Sequence, residues 1–169
     1  MIRVLNYEDA GSSLLPLAEI LTDCVNDGAS VGFMAPCEWQ GFIPYWNRVF
    51  NEVERGDTAL LIAEHNGEIV GTAQLGLAQM PNQPHRADLK KLLIHRKARG
   101  LGLARKLMEA VEEEARNKRK TLICLDTATG SPAEAIYTHL GWERVGVIPN
   151  YALYPDGSPC ATTLFYKGL

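Results

Sequence analysis

The apolar residues of this chain repeat with two different periods, and these periods divide it into strands and helices. Alternating or continuous apolar runs predict strands at residues 2–6, 58–65, 69–77, 87–94, 121–125, 142–148 and 162–167. Apolar residues three or four positions apart predict helices after Ser12 or Ser13, over 38–53, after the glycines at 100 and 102, and over 132–140. The resulting order, βααβββαβαββ, predicts an α+β fold with helices on both faces of one sheet.

Single residues sharpen several of these elements. Asn66-Gly67 separates two strand patterns and predicts a tight hairpin. Pro16 is expected in the first turn of the first helix, whereas Pro44 is expected to kink or divide the second. The near-continuous apolar run at 121–125 is typical of a strand that is buried on both faces.

Length, charge and composition narrow the class of protein. The 169 residues fit a single domain over 1–169, and the net charge of -3 gives no overall attraction to nucleic acid or to an anionic membrane. No segment has the length of a membrane span or the pattern of a signal peptide, so a cytoplasmic location is expected. The four cysteines and four histidines have no metal-ligand spacing, so no metal is expected.

The stretch at 99–108 lies between an apolar run and an amphipathic helix, where phosphate-binding loops occur. Gly100, Gly102 and Ala104 leave the backbone N–H groups uncovered, and the positive end of the following helix attracts an anion. The stretch is too short for a P-loop and lacks the third glycine of a dinucleotide fingerprint. It therefore predicts a different cofactor that carries a pyrophosphate.

The pattern R-x-x-G-x-A, formed by Arg99, Gly102 and Ala104, resembles the acetyl-CoA signature of the GNAT acyltransferase superfamily. The element order is similar to the GNAT fold, which implies a mostly antiparallel sheet with one splayed parallel strand pair. Residues 27–34, 86–92, 125–127 and 155–157 also resemble the tabtoxin-resistance acetyltransferases, and that similarity covers nearly the whole chain. It implies acetyl-CoA as the donor and a small amino-acid-like amine as the acceptor, such as a toxin or antibiotic.

The resemblance also implies which residues bind the cofactor. The strand before the loop would pair with the pantetheine arm through its backbone, and the loop would hold the pyrophosphate. An Asn that often binds the arm in this family is replaced here by Gly130, so the neighbouring Ser131 is expected to substitute. The expected cofactor residues are Leu92, Leu93, Ile94, Arg99, Gly100, Leu101, Gly102, Leu103, Ala104, Arg105 and Ser131.

Acyl transfer from a thioester to an amine requires a base for the amine and an acid for the leaving thiolate. The resemblance assigns Asp88 and Asp126 as candidate bases and Tyr137 as the candidate acid. Each has a structural alternative: Asp88 as a solvated residue paired with Lys90, Asp126 as a turn residue, and Tyr137 as a packed ring. Even spacing along the strand places Asp88 on the same face as Leu92.

The acceptor pocket is expected to use Gly32, Phe33 and Met34, with Tyr45 or Trp46 as weaker candidates. The scaffold equally suits acetylation of protein amines or of a polyamine, and a polyamine enzyme should have a strongly acidic cleft. A CoA-binding regulatory domain without catalysis is a further alternative. Direct transfer without an acyl-enzyme is expected, in a monomer or a homodimer, with no nucleic-acid or membrane partner.

Overall fold

Seven strands form one sheet in the computed structural model, which describes residues 1–169. The order across the sheet is β1-β2-β3-β4-β5-β7-β6, and every neighbouring pair is antiparallel except β4 and β5, which are parallel. The strands are β1 Ile2–Val4, β2 Thr58–His65, β3 Glu68–Leu77, β4 Arg86–Ile94, β5 Leu122–Ala128, β6 Glu143–Leu153 and β7 Pro159–Gly168. The mixed α+β fold expected from the sequence, with its one parallel pair, is confirmed.

Four α-helices cover the two faces of this sheet. They are α1 Ala10–Asn26, α2 Ile43–Arg55, α3 Leu103–Asn117 and α4 Pro132–His139. Helices α1 and α2 pack on one face around a buried cluster that includes Trp46, and α3 and α4 pack on the other around a cluster that includes Leu107 and Tyr137. None of these helices combines the length and the apolarity that crossing a membrane requires.

Two local expectations about helices need correction. Pro16 lies inside α1 and not in its first turn, because the 3-10 turn Tyr7–Asp9 runs directly into the helix and α1 begins at Ala10. Neither Ser12 nor Ser13 caps α1; the Ser12 hydroxyl donates instead to the Asp9 carbonyl. The expected division of the second predicted helix at Pro44 is confirmed, because a separate 3-10 helix, Trp39–Phe42, forms its first part and Pro44 lies in the first turn of α2.

The strands follow their predicted patterns with two exceptions. Asn66 and Gly67, with φ of 52° and 80°, form the expected tight turn between β2 and β3. Strand β5 is not buried on both faces: Ile123 and Leu125 pack under α3 and α4, whereas Asp126 is exposed on the other face. Strand β6 is longer than predicted and largely exposed, because it forms the outer edge of the sheet.

The parallel pairing between β4 and β5 is short. Only three residue pairs connect the strands, from Arg86 with Leu122 to Asp88 with Cys124. Beyond these pairs β4 continues to Ile94 and β5 to Ala128 without pairing to each other. The two strands therefore splay apart and leave a gap in the middle of the sheet.

A β-bulge in β4 changes which residues face each helix pair. Its register with β3 shifts between Leu93 and Lys90, and Lys91 adopts a left-handed φ of 51°. Leu89 packs in the α3 cluster, yet Leu93 packs in the α1 cluster and Leu92 against the α3 cluster. The expectation that Asp88 and Leu92 share a face is therefore wrong, because the extra residue reverses the alternation.

Candidate active site

The loop before α3 has the geometry of an anion cradle. Gly100 and Gly102 have φ of 79° and 71°, and a Cβ on either would meet no atom within 4 Å. Helix α3 begins immediately afterwards, with no side-chain cap and no acidic residue in its first turn. Its first N–H groups, including those of Leu103 and Ala104, are therefore free to bind a negatively charged group.

Two arginines predicted to contact the cofactor already have partners within the chain. Arg99 donates to the Asp27 carboxylate at 2.6 Å and to the Ile94 carbonyl at 3.3 Å. These bonds tie the cradle to the end of α1, so Arg99 positions the loop. Arg105 lies on the surface of α3 and pairs with Glu109 one turn later at 2.8 Å.

The remaining predicted cofactor residues lie around the gap between β4 and β5. Leu92, Leu93 and Ile94 form the last part of β4, on the stretch that β5 leaves unpaired. Ser131 precedes α4 on the opposite side, and its hydroxyl lies 3.2 Å from that of Thr127 at the end of β5. Leu101, in the cradle, is 45% exposed.

The two candidate bases are in different electrostatic environments. Asp126 lies in the part of β5 that does not pair with β4. Its side chain is exposed and accepts a hydrogen bond from the Thr162 hydroxyl at 2.9 Å. Asp88 forms an ion pair with Arg86, and not with Lys90 as the structural alternative proposed. Alternation along the strands places both carboxylates on the face that α1 and α2 cover. Of the two, Asp126 is the one without a cationic partner at ion-pair distance.

Tyr137 lies on the opposite face of the sheet, which α3 and α4 cover. Its ring packs against Trp142 and Phe165, with centroids 5.9 and 5.7 Å away, and the residue is only 4% exposed. Burial, together with the negative charge of nearby Asp126, raises the pKa of Tyr137 well above its ordinary value. The phenol therefore keeps its proton at neutral pH, and it has no hydrogen-bond partner within the chain.

The predicted acceptor loop packs onto α2. The Phe33 ring meets Phe42 and Tyr45 edge-on, with centroids 4.9 and 5.3 Å away, while Met34 is 50% exposed. Gly32, with φ of 92°, precedes them. Of the weaker candidates, Tyr45 faces this region and Trp46 is fully buried in the core.

The same loop is fastened to the hairpin between β6 and β7. The Ser30 hydroxyl donates to the Leu153 carbonyl at 2.8 Å, and the Ala35 N–H donates to the Pro155 carbonyl at 3.1 Å. A cavity of about 590 Å³ lies where these segments meet the end of α1. The loop and the hairpin are therefore joined to each other, and Ala35 and Tyr154 are among the residues that line this cavity.

Lys91 is a site residue that sequence reasoning missed. Its ammonium lies 5.8 Å from the centroid of Phe33 and 6.0 Å from that of Tyr45. A non-glycine residue with positive φ costs roughly 1–3 kcal/mol, so the bulge holds Lys91 in a strained backbone conformation. A lysine in an alternating strand normally indicates a solvated position, and nothing in the sequence marks a bulge.

A buried ionic cluster lies beside Tyr137, on the face of the sheet that α3 and α4 cover. Glu112 of α3 accepts from the Trp142 indole at 3.1 Å and from the Lys167 ammonium at 2.8 Å. Lys167 also donates to the Leu140 carbonyl after α4. The cluster fixes α3, β7 and the turn after α4 relative to one another, and so fixes the ring stack around Tyr137.

No group of three or more His, Cys, Asp or Glu side chains is arranged to hold a metal ion. The described groups include a carboxylate, Asp126, on one face of the sheet and a phenol, Tyr137, on the other, which are groups able to accept and donate protons. The unpaired edge of β4 lies between these two faces, and the glycine loop before α3 follows the end of β4.

Comparison with known proteins identifies the family of this chain. The acetyltransferase (GNAT) family matches residues 19–142. An uncharacterized N-acetyltransferase encoded in the hisH–hisA intergenic region of Azospirillum brasilense is 36% identical over 112 residues. That match spans 65% of this chain and 65% of the relative's length.

Solved structures share the fold at lower identity. The ribosomal-protein-alanine N-acetyltransferase of Brucella melitensis is 22% identical, with a TM-score of 0.81 over 100% of this chain and 99% of that one. A GNAT superfamily phosphinothricin acetyltransferase from Sinorhizobium meliloti, in complex with acetyl-CoA, is 16% identical, with a TM-score of 0.81 over 100% and 88%. By the family match over most of its length and by its fold, the chain belongs to the GNAT family of acetyltransferases.

Proposed function

We propose that this protein is an acetyl-CoA-dependent N-acetyltransferase that acts on the amine of a small amino-acid-like molecule. The observation that carries the proposal is the gap between β4 and β5, with Asp126 on one face and Tyr137 on the other. A donor thioester lying along β4 would be reached by an acceptor amine from the Asp126 side. The leaving thiolate would then be on the Tyr137 side.

The cofactor site fits the CoA moiety in two places. The uncapped start of α3, with the open backbone at Gly100 and Gly102, suits a pyrophosphate. The free edge of β4 at Leu92, Leu93 and Ile94 suits the amide groups of pantetheine, in the manner of an added strand. When bound, acetyl-CoA supplies the activated acetyl group.

Two proton transfers follow from the residues in the gap. Asp126, directly or through a water, accepts the proton that the acceptor ammonium must lose before its nitrogen can attack. Tyr137 donates its phenolic proton to the thiolate that departs, because a phenol is protonated at neutral pH and can serve as a general acid. Asp88 is a weaker candidate base because Arg86 already neutralises it. The transfer is direct, without an acyl-enzyme at Cys124.

Charge on the acceptor side favours an amino-acid-like acceptor over a polyamine. Lys91 and Arg48 both lie over the aromatic rings of this side, where the Arg48 guanidinium is 5.4 Å from the Tyr45 centroid. A polycation would be repelled by these two groups and would find in exchange Asp126 and an Asp88 that is already paired with Arg86. The similarity to tabtoxin-resistance acetyltransferases adds toxins such as tabtoxinine-β-lactam to the acceptors proposed.

A panel of amines tests the proposal. Thiol release from acetyl-CoA is measured with amino acids, polyamines, peptides with free N-termini and tabtoxinine-β-lactam, beside calorimetry of acetyl-CoA binding. We expect release with an amino-acid-like amine, and a fall in kcat of about 10- to 100-fold in Tyr137→Phe. Tight acetyl-CoA binding without release on any amine would instead indicate a binding domain that has lost catalysis.

A further inference from the structure

The bulge in β4 gives Lys91 a position that no regular strand would allow. Its backbone takes a φ of 51°, and its side chain is directed toward α2 between the rings of Phe33 and Tyr45. Gly32 lies behind it, since a Cβ on that glycine would be 3.8 Å from the Lys91 ammonium. The strained backbone, the rings and the loop therefore hold one ammonium on the acceptor side of the gap.

This ammonium has no partner of opposite charge. Lys91 takes part in no side-chain hydrogen bond and in no ion pair, whereas ten other lysines and arginines of the chain form ion pairs with carboxylates. Burial lowers the pKa of Lys91, and the more distant negative charge of Asp126 only partly opposes this. A half-buried charge without a counter-ion is unfavourable and is retained where a ligand supplies the missing charge.

We propose that Lys91 binds the acid group of the acceptor, a carboxylate, while the acceptor amine lies toward Asp126. This inference rests on the proposed function and extends it by naming the second group that the acceptor must carry. The rings of Phe33 and Tyr45 form the wall beside the carboxylate, and Arg48 at the rim adds a second positive charge. The arrangement matches a zwitterion, with a cation for its carboxylate and an anion for its ammonium.

The neighbouring Lys90 provides a matched control. It is the same residue type, one position earlier in β4, but it is exposed and lies against Gly76 on β3. Lys90→Gln removes the same charge without touching the ring pair. Lys91→Gln removes the proposed anchor, and Lys91→Arg keeps its charge.

The experiment compares acids with their amides. Rates of thiol release are measured for the common L-amino acids and for their primary amides, which keep the amine and lose the carboxylate. We expect Lys91→Gln to raise KM for the acids by about 10- to 100-fold with kcat within about 3-fold, because a charged hydrogen bond is lost. The amides should be unaffected, Lys91→Arg should recover part of the affinity, and Lys90→Gln should behave as the wild type.

Two results would overturn the assignment. If Lys91→Gln lowers kcat/KM equally for acids and amides, or lowers kcat at constant KM, then Lys91 takes part in the chemical step or in folding and does not bind the carboxylate. Thermal unfolding of each variant shows whether the loss comes from folding. If the wild type acetylates no amine, the proposed function fails, and the Lys91 assignment is then tested by binding alone. Calorimetry of the CoA-saturated wild type should show acids bound more tightly than amides, and Lys91→Gln should show no such difference. Equal binding of acids and amides by the wild type would refute the assignment of Lys91.

Discussion

Asp126 and Asp88 are two similar carboxylates that have different neighbouring groups. Both lie on the same face of adjacent strands, yet Asp88 is neutralised by Arg86 while Asp126 accepts only a hydroxyl hydrogen bond from Thr162. The Asp126 carboxylate is therefore open to the ammonium of an acceptor, whereas that of Asp88 is already engaged. This difference in partners is the reason for proposing Asp126 as the base, although the sequence assigns both equally.

Replacing each aspartate by asparagine tests this difference. We expect Asp126→Asn to lower kcat/KM by about 100-fold or more, since general-base catalysis contributes on this scale. Asp88→Asn should lower it by about 10-fold or less, because its carboxylate is engaged with Arg86. Steady-state kinetics on the best amine of the panel measures both, and a larger loss in Asp88→Asn would reverse the assignment.

The buried phenol of Tyr137 has a consequence for stability at alkaline pH. Its pKa is raised in the folded state above the ordinary 10.0, so below pH 10 both states hold the proton and no effect arises. Above pH 10 the unfolded chain releases the proton and the folded chain does not, so stability falls by up to about 1.4 kcal/mol per pH unit. Urea unfolding between pH 9 and 11 should show this fall in the wild type and a smaller one in Tyr137→Phe. Parallel curves would mean that the phenol is less buried than described.

At the level of elements, the start of α3 depends on a backbone conformation that only glycine adopts easily. Gly102 occupies the N-cap with φ of 71°, and Gly56 occupies the C-cap of α2 with φ of 77°. A Cβ on either would meet open space, so the two positions share the same backbone strain without a steric difference. They differ in location, because only Gly102 lies in the anion cradle.

These two glycines form a matched pair of variants. Gly102→Ala and Gly56→Ala should each lower the free energy of unfolding by about 1–2 kcal/mol, the cost of a left-handed residue with a Cβ. Only Gly102→Ala should weaken acetyl-CoA binding, by about 10-fold or more, because it redirects the N–H groups that are proposed to bind the pyrophosphate. Calorimetry with acetyl-CoA measures the affinities. An equal affinity in both variants would contradict the cradle.

Most elements of this fold follow from local patterns, and the exceptions have specific causes. The Asn66-Gly67 turn and the amphipathic α3 are determined by residues adjacent in sequence, so their patterns predict them directly. The bulge at Lys91 depends on register with β3, and the partner of Asp88 depends on which side chain reaches it in space. Those two features determine which charged groups lie near the predicted acceptor loop. Long-range contacts of this kind leave no periodic signal in the sequence.

At the scale of the whole molecule, Glu112 connects parts of the chain that are distant in sequence. It bonds to Trp142 and Lys167, and its side chain is only 10% exposed. Removal of its carboxylate leaves the buried Trp142 indole N–H without an acceptor and leaves the Lys167 ammonium with only the Leu140 carbonyl. Such groups are costly, and they lie beneath the ring stack that holds Tyr137.

We expect Glu112→Ala to destabilise the protein by about 2–4 kcal/mol, as for other broken buried ion pairs. Glu109→Ala, on the same helix, removes only an exposed pair with Arg105 and should cost less than about 0.5 kcal/mol. Urea unfolding at pH 7 measures both changes. Similar small effects in the two variants would show that water replaces the lost carboxylate.

The three residue pairs that join β4 to β5 are the only backbone pairing between the two halves of the sheet; we call this short pairing the seam. On one side of this seam lie β1 to β4, on the other β5 to β7, and few backbone hydrogen bonds cross between them. A donor molecule inserted along β4 would act as a strand supplied from outside, so the sheet is completed by its own substrate. Amide hydrogen exchange in residues 89–94 and 125–128 should therefore slow when acetyl-CoA is added, while exchange in β2 and β3 stays unchanged. The core cluster under α3 and α4 joins the two halves through side chains, and a bound donor would add backbone hydrogen bonds between them.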